Sequence, residues 1–406
     1  GNAEAKKKKE VKKAIKREVQ TPYDKLFKGK KAFTVNGLMK MHLMAGKVYA
    51  EFPIELLNRD LALTSSIEDI SDNGEGVVGQ FAGRVNQFRF TLQDSMLQAR
   101  LVRRYGVKNT GMGKNADQII ERSNTPGIFQ SYKILAYTPD KKAVVVDMTE
   151  LFLESSRLTN PFPSYAGNSL YGFVQRIHKF QSQRSELLGI CGNDNSMSVR
   201  CNLGFNVDRL VLGSFMQAKD VPVSVTVNKI LMLLPEDPMR PRLADSRIGV
   251  NAIIQTELPD VCQGIKTYYI TKRWRIEPVD EIRYKQGEMV DVKKPIVFYI
   301  DTLMPDSWIK YVKAGAEAWN AAFEKIGLRN VVRTELFPKD SSFDAGDIHN
   351  SVIRYAPSWM YYPQYSMHTD PRTGEILNAS VYLPANVASY FYTSRTEETM
   401  AVDPSV

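Results

Sequence analysis

Histidine and cysteine are scarce in this chain, and neither falls in a spacing that would hold a metal. The four histidines, His42, His178, His349 and His368, lie too far apart for two to share one helix face, so there is no His-Glu-x-x-His pair. His349 with Asp347, or His368 with Asp370, has the chemistry to contact a metal, but a lone His beside an Asp is far more often a turn residue. Three cysteines are too few for a disulfide framework. Cys191 and Cys201 flank a polar stretch and leave two readings open: a small closed loop in an oxidising compartment, or two free thiols. No Gly-x-Ser-x-Gly elbow occurs, which removes one route to a serine hydrolase. No apolar run approaches the roughly 18 residues of a membrane-spanning helix, so no transmembrane segment is expected. No signal peptide is visible either, and Gly1-Asn2-Ala3 reads as the remnant of a removed leader.

Charge is present but uneven. The net charge is +9, from 54 basic and 45 acidic side chains. Residues 1–20 alone hold eight basic residues (Lys6 to Lys9, Lys12, Lys13, Lys16 and Arg17) against Glu4, Glu10 and Glu18. Such a run is usually solvated and without fixed structure. It has the charge to touch an anionic membrane or a nucleic acid. No zinc finger or aromatic-plus-basic strand supports nucleic-acid recognition, so no nucleic-acid partner is expected.

The 406 residues suggest two or three domains. Short strands and turns dominate after the tail. "KVYAEFPIEL" reads as a strand, "GVVGQFAGRVNQFRFTLQ" reads as two strands about a glycine bend, and "KILAYTPDKKAVVVDM" is a hairpin turning at Pro139-Asp140. A short helix capped near Thr149 follows, then "RLVLGSFM", "PVSVTVNKILMLLP" and "KTYYITKRWRIEPV" as further strands. The character changes near Pro295. "PIVFYID" is a continuous apolar run, the mark of a buried strand. From Asp306 a helix is expected, with Ile309, Val312, Ala316, Trp319, Phe323 and Ile326 on one apolar face, Asp306 as its cap and Gly327 as its stop. "NVVRTEL", "SVIRYAP" and "ILNASVYL" add three strands. The fold class is α+β: a β-rich antiparallel region, then a strand–helix–strand unit. The chain thus divides into a tail (1–20), a β-rich accessory region (21–285, with room for two subdomains meeting near 155) and a third region (286–406).

Two motifs invite chemistry and have plainer explanations. Gly74, Gly76 and Gly79 spell G-x-G-x-x-G, but a polar turn precedes them and a strand pattern follows, where a phosphate cradle needs a strand before it and a helix after it. A glycine-rich hairpin turn is the expectation. "SWMYYPQY" is an aromatic cluster that could line a sugar or peptide site, though packing against a sheet is the commoner use.

Six segments then stand in order: "MRPRLADSRIGV", "YYITKRWRIEPVD", "KKPIVFYIDTLMP", "WIKYVKAGAEAWNAAFEKIGLRN", "SVIRYAP" and "DPRTGEILNA". Together they resemble the large zinc-dependent metalloproteases of Gram-negative envelope compartments, in which N-terminal domains of unknown function precede a metzincin-like catalytic domain. The resemblance is strongest from Met239 onward and fainter across Thr21 to Leu234. It implies that "PIVFYID" opens the catalytic sheet, that the helix from Asp306 backs it, and that "ILNASVYL" is an edge strand above the cleft. A peptide or protein substrate would pair with that strand through Leu377, Asn378, Ala379, Ser380 and Val381. In the family a helix bearing His-Glu-x-x-His-x-x-Gly-x-x-His follows, and zinc there polarises the scissile carbonyl. "MAVDPSV" is similar to the linker before that helix. The resemblance therefore places zinc and the catalytic residues in the C-terminal half of a longer parent, a partner for this chain, which itself would hold no metal and be inactive. It also implies a periplasmic or extracellular location after signal removal. The rival reading is a non-enzymatic envelope module that binds a glycan or protein partner on the same scaffold.

Brief trypsin treatment is expected to trim residues 1–20 and leave the melting temperature unchanged. A large drop would show that the tail belongs to the fold.

Overall fold

A computed structural model describes residues 20–81, 85–102, 107–155, 158–162, 174–211, 215–260, 264–339, 343–358 and 363–402. The basic tail lies outside them but for Gln20, as do Cys262 and residues 359–362 of the aromatic cluster.

Period-two patterning builds the N-terminal part. Leu61, Leu63 and Ile67, Phe88 and Phe90, Leu97 and Ala99, Val144 and Val146, and Met197 and Val199 are all buried on alternate positions of their strands. These strands form two antiparallel sheets. One has five strands in the order 33–35, 40–44, 47–53, 143–147, 136–137. The other has seven, in the order 174–193, 196–211, 215–233, 61–70, 86–93, 96–101, 127–133. Their inner faces share one core, which Leu151 and Phe152 of the short helix Thr149–Leu153 complete. The 215–233 strand pairs with the 61–70 strand, so residues on both sides of 155 hydrogen-bond within one sheet. The Pro139-Asp140 hairpin is present, with Ala136–Tyr137 antiparallel to Ala143–Asp147. Residues 74–80 form turns, so among the described residues one strand, Asn86–Gln93, stands where two were expected.

The two described cysteines are free. Cys191 pairs across to Ser198, whereas Cys201 pairs to Leu187. Three residues of strand, roughly 10 Å, separate them along the ribbon, beyond disulfide reach.

The C-terminal sheet has the order 332–336, 296–300, 351–356, 376–384, 364–369. The first four strands are parallel, and the 364–369 strand closes one side antiparallel. Two helices, Asp306–Glu317 and Asn320–Glu324, replace the single helix expected. Ile309, Val312 and Ala316 pack on Ile300, Met304 and Ile353, and Phe323 joins a second cluster. Trp319 and Ile326 instead remain exposed, although Phe323 and the Asn320 side chain of the same short helix hold to the Val331–Val332 stretch. Pro305 occupies the N-cap position instead of Asp306, while Gly327 ends the second helix at φ 82°. A last helix, Val387–Thr399, buries only Val387.

Lys229 tests the packing of the central sheet. Its side chain is wholly buried at the join of two apolar clusters, and Nζ donates to the Glu154 carbonyl at 2.5 Å. Desolvation pushes its pKa down from 10.5 to about 8. The unfolded chain then holds a proton that the folded chain has lost between pH 8 and 10.5, so stability rises with pH across that window. Below pH 8 the full penalty, about 3 kcal/mol, is present. Lys229→Met is expected to melt several degrees higher than the parent at pH 7, with the gain fading by pH 10. An equal gain at both pH values would show that burial of charge is not its source.

Candidate functional site

The strand expected to present substrate is not an edge. Ile376–Pro384 pairs parallel with Ser351–Ala356 on one side and antiparallel with Gln364–Thr369 on the other. Asn378, Ala379 and Ser380 are buried, and Leu377 and Val381 are half-buried. The Asn378 amide donates to the carbonyls of Ile348 and Asn350 at 2.9 and 2.7 Å, and the Ala379 N–H donates to Ser351 Oγ at 3.1 Å. Both main-chain edges are taken, so a peptide cannot add here. The five residues act as an internal clamp between neighbouring strands.

The edge is the strand before it. Among the described residues no strand pairs with the outer side of Gln364–Thr369. Tyr365 is exposed there, and its hydroxyl accepts from the Asn251 amide at 2.7 Å. His368, from the same strand, turns inward. Its Nε2 meets Thr64 Oγ1 at 2.5 Å, and its ring stacks on Phe81 with centroids 3.6 Å apart. Burial pushes its pKa down from 6.5 to about 3, so the imidazole is neutral. It is a core histidine that joins the C-terminal sheet to the 61–70 strand.

The turn after it is equally built in. Asp370 is wholly buried, accepts the Arg372 guanidinium at 2.7 Å, and accepts the Arg372 N–H at 2.8 Å. Arg372 also reaches Asp60 at 3.3 Å and the Pro235 carbonyl at 2.9 Å. Glu375 pairs with Arg275 at 3.0 Å. An open cavity of about 290 Å³ lies beside this network, lined by Asn58, Arg59, Asp60, Leu234, Pro235, Glu236 and Arg372. Its charges are internally matched, Arg59 to Glu236 and Arg372 to Asp60.

The other sequence candidates have structural roles. The glycine-rich stretch is a turn that returns to the 61–70 strand, with Gly79 N–H donating to the Ile67 carbonyl at 2.8 Å. Gly79 has φ 88°, and a Cβ there would lie 2.5 Å from Arg354 Cδ. The turn lodges Glu75, fully buried, against Arg176, His178 and Arg209 at 3.2, 2.8 and 2.8 Å. His178 and Arg209 hold its carboxyl below the usual range despite the cost of burial. Gly74, Gly76 and Gly79 therefore shape a turn and not a phosphate cradle. His349 spends Nδ1 on Asp347 at 2.7 Å and Nε2 on Asn195 at 2.8 Å. His42 lies 2.9 Å from Glu51 and 2.8 Å from Thr34. Among the described residues no three His, Cys, Asp or Glu side chains are grouped to hold a metal ion. No described helix is long and apolar enough to cross a membrane.

Comparison with known proteins adds two regions. Residues 20–70 match the family model described as "Domain of unknown function (DUF5118)", and residues 79–279 match "Domain of unknown function (DUF5117)". No curated protein and no solved structure matches the chain.

His368 makes the seam acid-sensitive. Below pH 6.5 the unfolded chain takes up a proton that the folded chain refuses until about pH 3. Stability is therefore expected to fall as pH drops through that window, by up to about 5 kcal/mol. His368→Phe should lose some stability at pH 7, where Thr64 loses its partner, and show a shallower acid slope. Matching slopes in chemical denaturation from pH 7 to 4 would remove His368 as the cause.

Proposed function

We propose that this chain is the peptide-presenting portion of a zinc-dependent metallopeptidase, with a substrate peptide adding as a further strand along the outer edge of Gln364–Thr369. The observation that carries the reading is the sheet order: four parallel strands closed by one antiparallel strand, with no described strand laddered on its outer side. Such an edge offers a row of main-chain N–H and C=O groups to an extended peptide. Side-chain pockets beside alternate residues then select sequence, and Tyr365 is placed for this. The order of segments from Ile296 onward, strand, helix pair and further strands, also supports the resemblance to metzincin-like enzymes.

Among the described residues no group of His, Cys, Asp and Glu side chains is gathered to hold zinc. Each of the four histidines already has a partner in Thr64, Glu51, Glu75 or Asp347. In this reading the metal and the hydrolytic groups are supplied by the remainder of the parent protein, and the step assigned to these residues is binding and alignment of the peptide.

Alternate residues of a strand aim their N–H groups at opposite edges. Proline removes a donor, so Tyr365→Pro and Ser366→Pro probe the two edges separately. Binding of fluorescently labelled extended peptides, followed by anisotropy, is expected to weaken at least tenfold in one variant with its melting temperature kept. The other should melt lower because it breaks the ladder to Ile376–Pro384. Unchanged affinity in two folded variants would discard the edge as a substrate site.

A further inference from the structure

A second constellation lies in the first sheet, away from the C-terminal edge. Thr34 on the 33–35 strand sits directly opposite His42 on the 40–44 strand. Its Oγ1 is 2.8 Å from His42 Nδ1. On the other side of the ring, Nε2 is 2.9 Å from Glu51 Oε1. The Tyr23 hydroxyl donates to the same Oε1 at 2.6 Å, and Lys40 Nζ lies 3.6 Å from Oε2. His42 and Glu51 are each 6% exposed, whereas Thr34 is exposed. Phe27 packs on the imidazole with centroids 4.4 Å apart, which holds the ring orientation.

The proton positions follow from the partners. Glu51 is ionised, because His42, Tyr23 and Lys40 lower its pKa against the cost of burial. A carboxylate only accepts, so His42 Nε2 carries the hydrogen and donates it to Glu51. Nδ1 is then left with its lone pair and accepts from the Thr34 hydroxyl. A hydroxyl, a histidine base and a carboxylate that orients the base, each within hydrogen-bond reach of the next, make up the arrangement that activates an oxygen nucleophile. The 33–35 strand is also the outer strand of its sheet, unpaired on its far side among the described residues. Alternate main-chain N–H groups therefore face outward close to the hydroxyl, where a developing oxyanion needs donors.

We propose that Thr34 is a nucleophilic hydroxyl activated by His42 and Glu51, able to accept an acyl group from an ester. Oγ1 attacks the ester carbonyl while its proton passes to His42 Nδ1. The C–O bond to the alcohol breaks, the alcohol leaves with that proton, and an acyl ester remains on Thr34. Glu51 touches no reacting atom and is a positioning residue. Tyr23 acts one step further back, fixing the carboxylate.

A fluorophosphonate probe tests this in the intact chain, because it labels activated hydroxyls and passes over lysines. Thr34 Oγ1 attacks phosphorus, the P–F bond breaks, fluoride leaves, and His42 takes the proton. Peptide mapping by mass spectrometry is expected to place the adduct on residue 34, at least tenfold above any other Ser or Thr. Thr34→Ser should keep the label. His42→Gln should slow it at least tenfold, and Glu51→Gln should slow it less. Thr34 is exposed, so Thr34→Val should melt like the parent and take no label. Absence of the adduct at residue 34, labelling spread evenly over other hydroxyls, or an equal rate in a folded His42→Gln variant would overturn the proposal. Site selectivity in the parent decides by itself if the His42 variant fails to fold.

Discussion

Arg372 joins the two halves of this protein through one planar guanidinium. Two of its nitrogens grip Asp370 in its own turn, a third faces Asp60 at the start of the 61–70 strand, and Pro235 offers a carbonyl to the same group. Asp60 in turn accepts from Arg89 at 2.6 Å. Asp370 is fully buried, and a buried carboxylate stripped of its cation costs about 3–5 kcal/mol. Lysine, a point charge, could not reach three acceptors in this fixed fork. The turn that launches the 376–384 strand is thus bolted to the N-terminal sheet, and the C-terminal sheet takes its placement from that bolt.

The rest of the seam extends from it. His368 meets Thr64 on one side of the bolt. Ile348 and Leu377 share an apolar cluster with Ala62, Ile230, Met232 and Leu234. Isoleucine, leucine and methionine bind the two sheets without direction, while Arg372 and His368 set register. The edge strand 364–369 inherits its position from both, since its inner residues are tied down and its outer side is left unpaired by any described strand. The accessory region and the proposed peptide edge are therefore mechanically one piece. Any peptide bound along that edge would lie close to Asn251 as well, a residue that belongs to neither sheet.

Buried carboxylates recur as organising groups. Glu75 collects His178 and two arginines, Asp370 collects Arg372, and Glu51 collects His42 and Tyr23. Each carries a charge into the interior and is satisfied there, as buried polar groups must be. What separates Glu51 is where its chain ends. The Glu75 and Asp370 networks close on groups inside the protein, whereas the Glu51 network runs through a histidine to a hydroxyl at the surface. That open end is what turns a structural pairing into a candidate for chemistry.

Much of this was legible in the residues themselves. Short apolar runs bounded by turn residues marked many of the strands of the N-terminal sheets. The apolar run at Pro295–Asp301 and the three- and four-residue steps at Ile309, Val312 and Ala316 marked a central strand, buried at Ile296 and Ile300, and its helix. These signals are local, because period two and period 3.6 are properties of the backbone. Trp319 and Ile326 kept the spacing and lost the burial, since a helix break is decided by what the next turn can pack on. The helix 387–399 carries no apolar stripe and so left no trace to read. The interior place of the 376–384 strand was beyond reach, because its apolar run suits an edge or a centre equally and its second neighbour, 364–369, shows only weak alternation. In the sequence His368 stood only beside Asp370, His42 stood alone, and Glu51 was one residue of a strand run. Partners at positions 64, 34 and 23 gave them their roles, and pairings between strands are set by register in space, which no local pattern encodes.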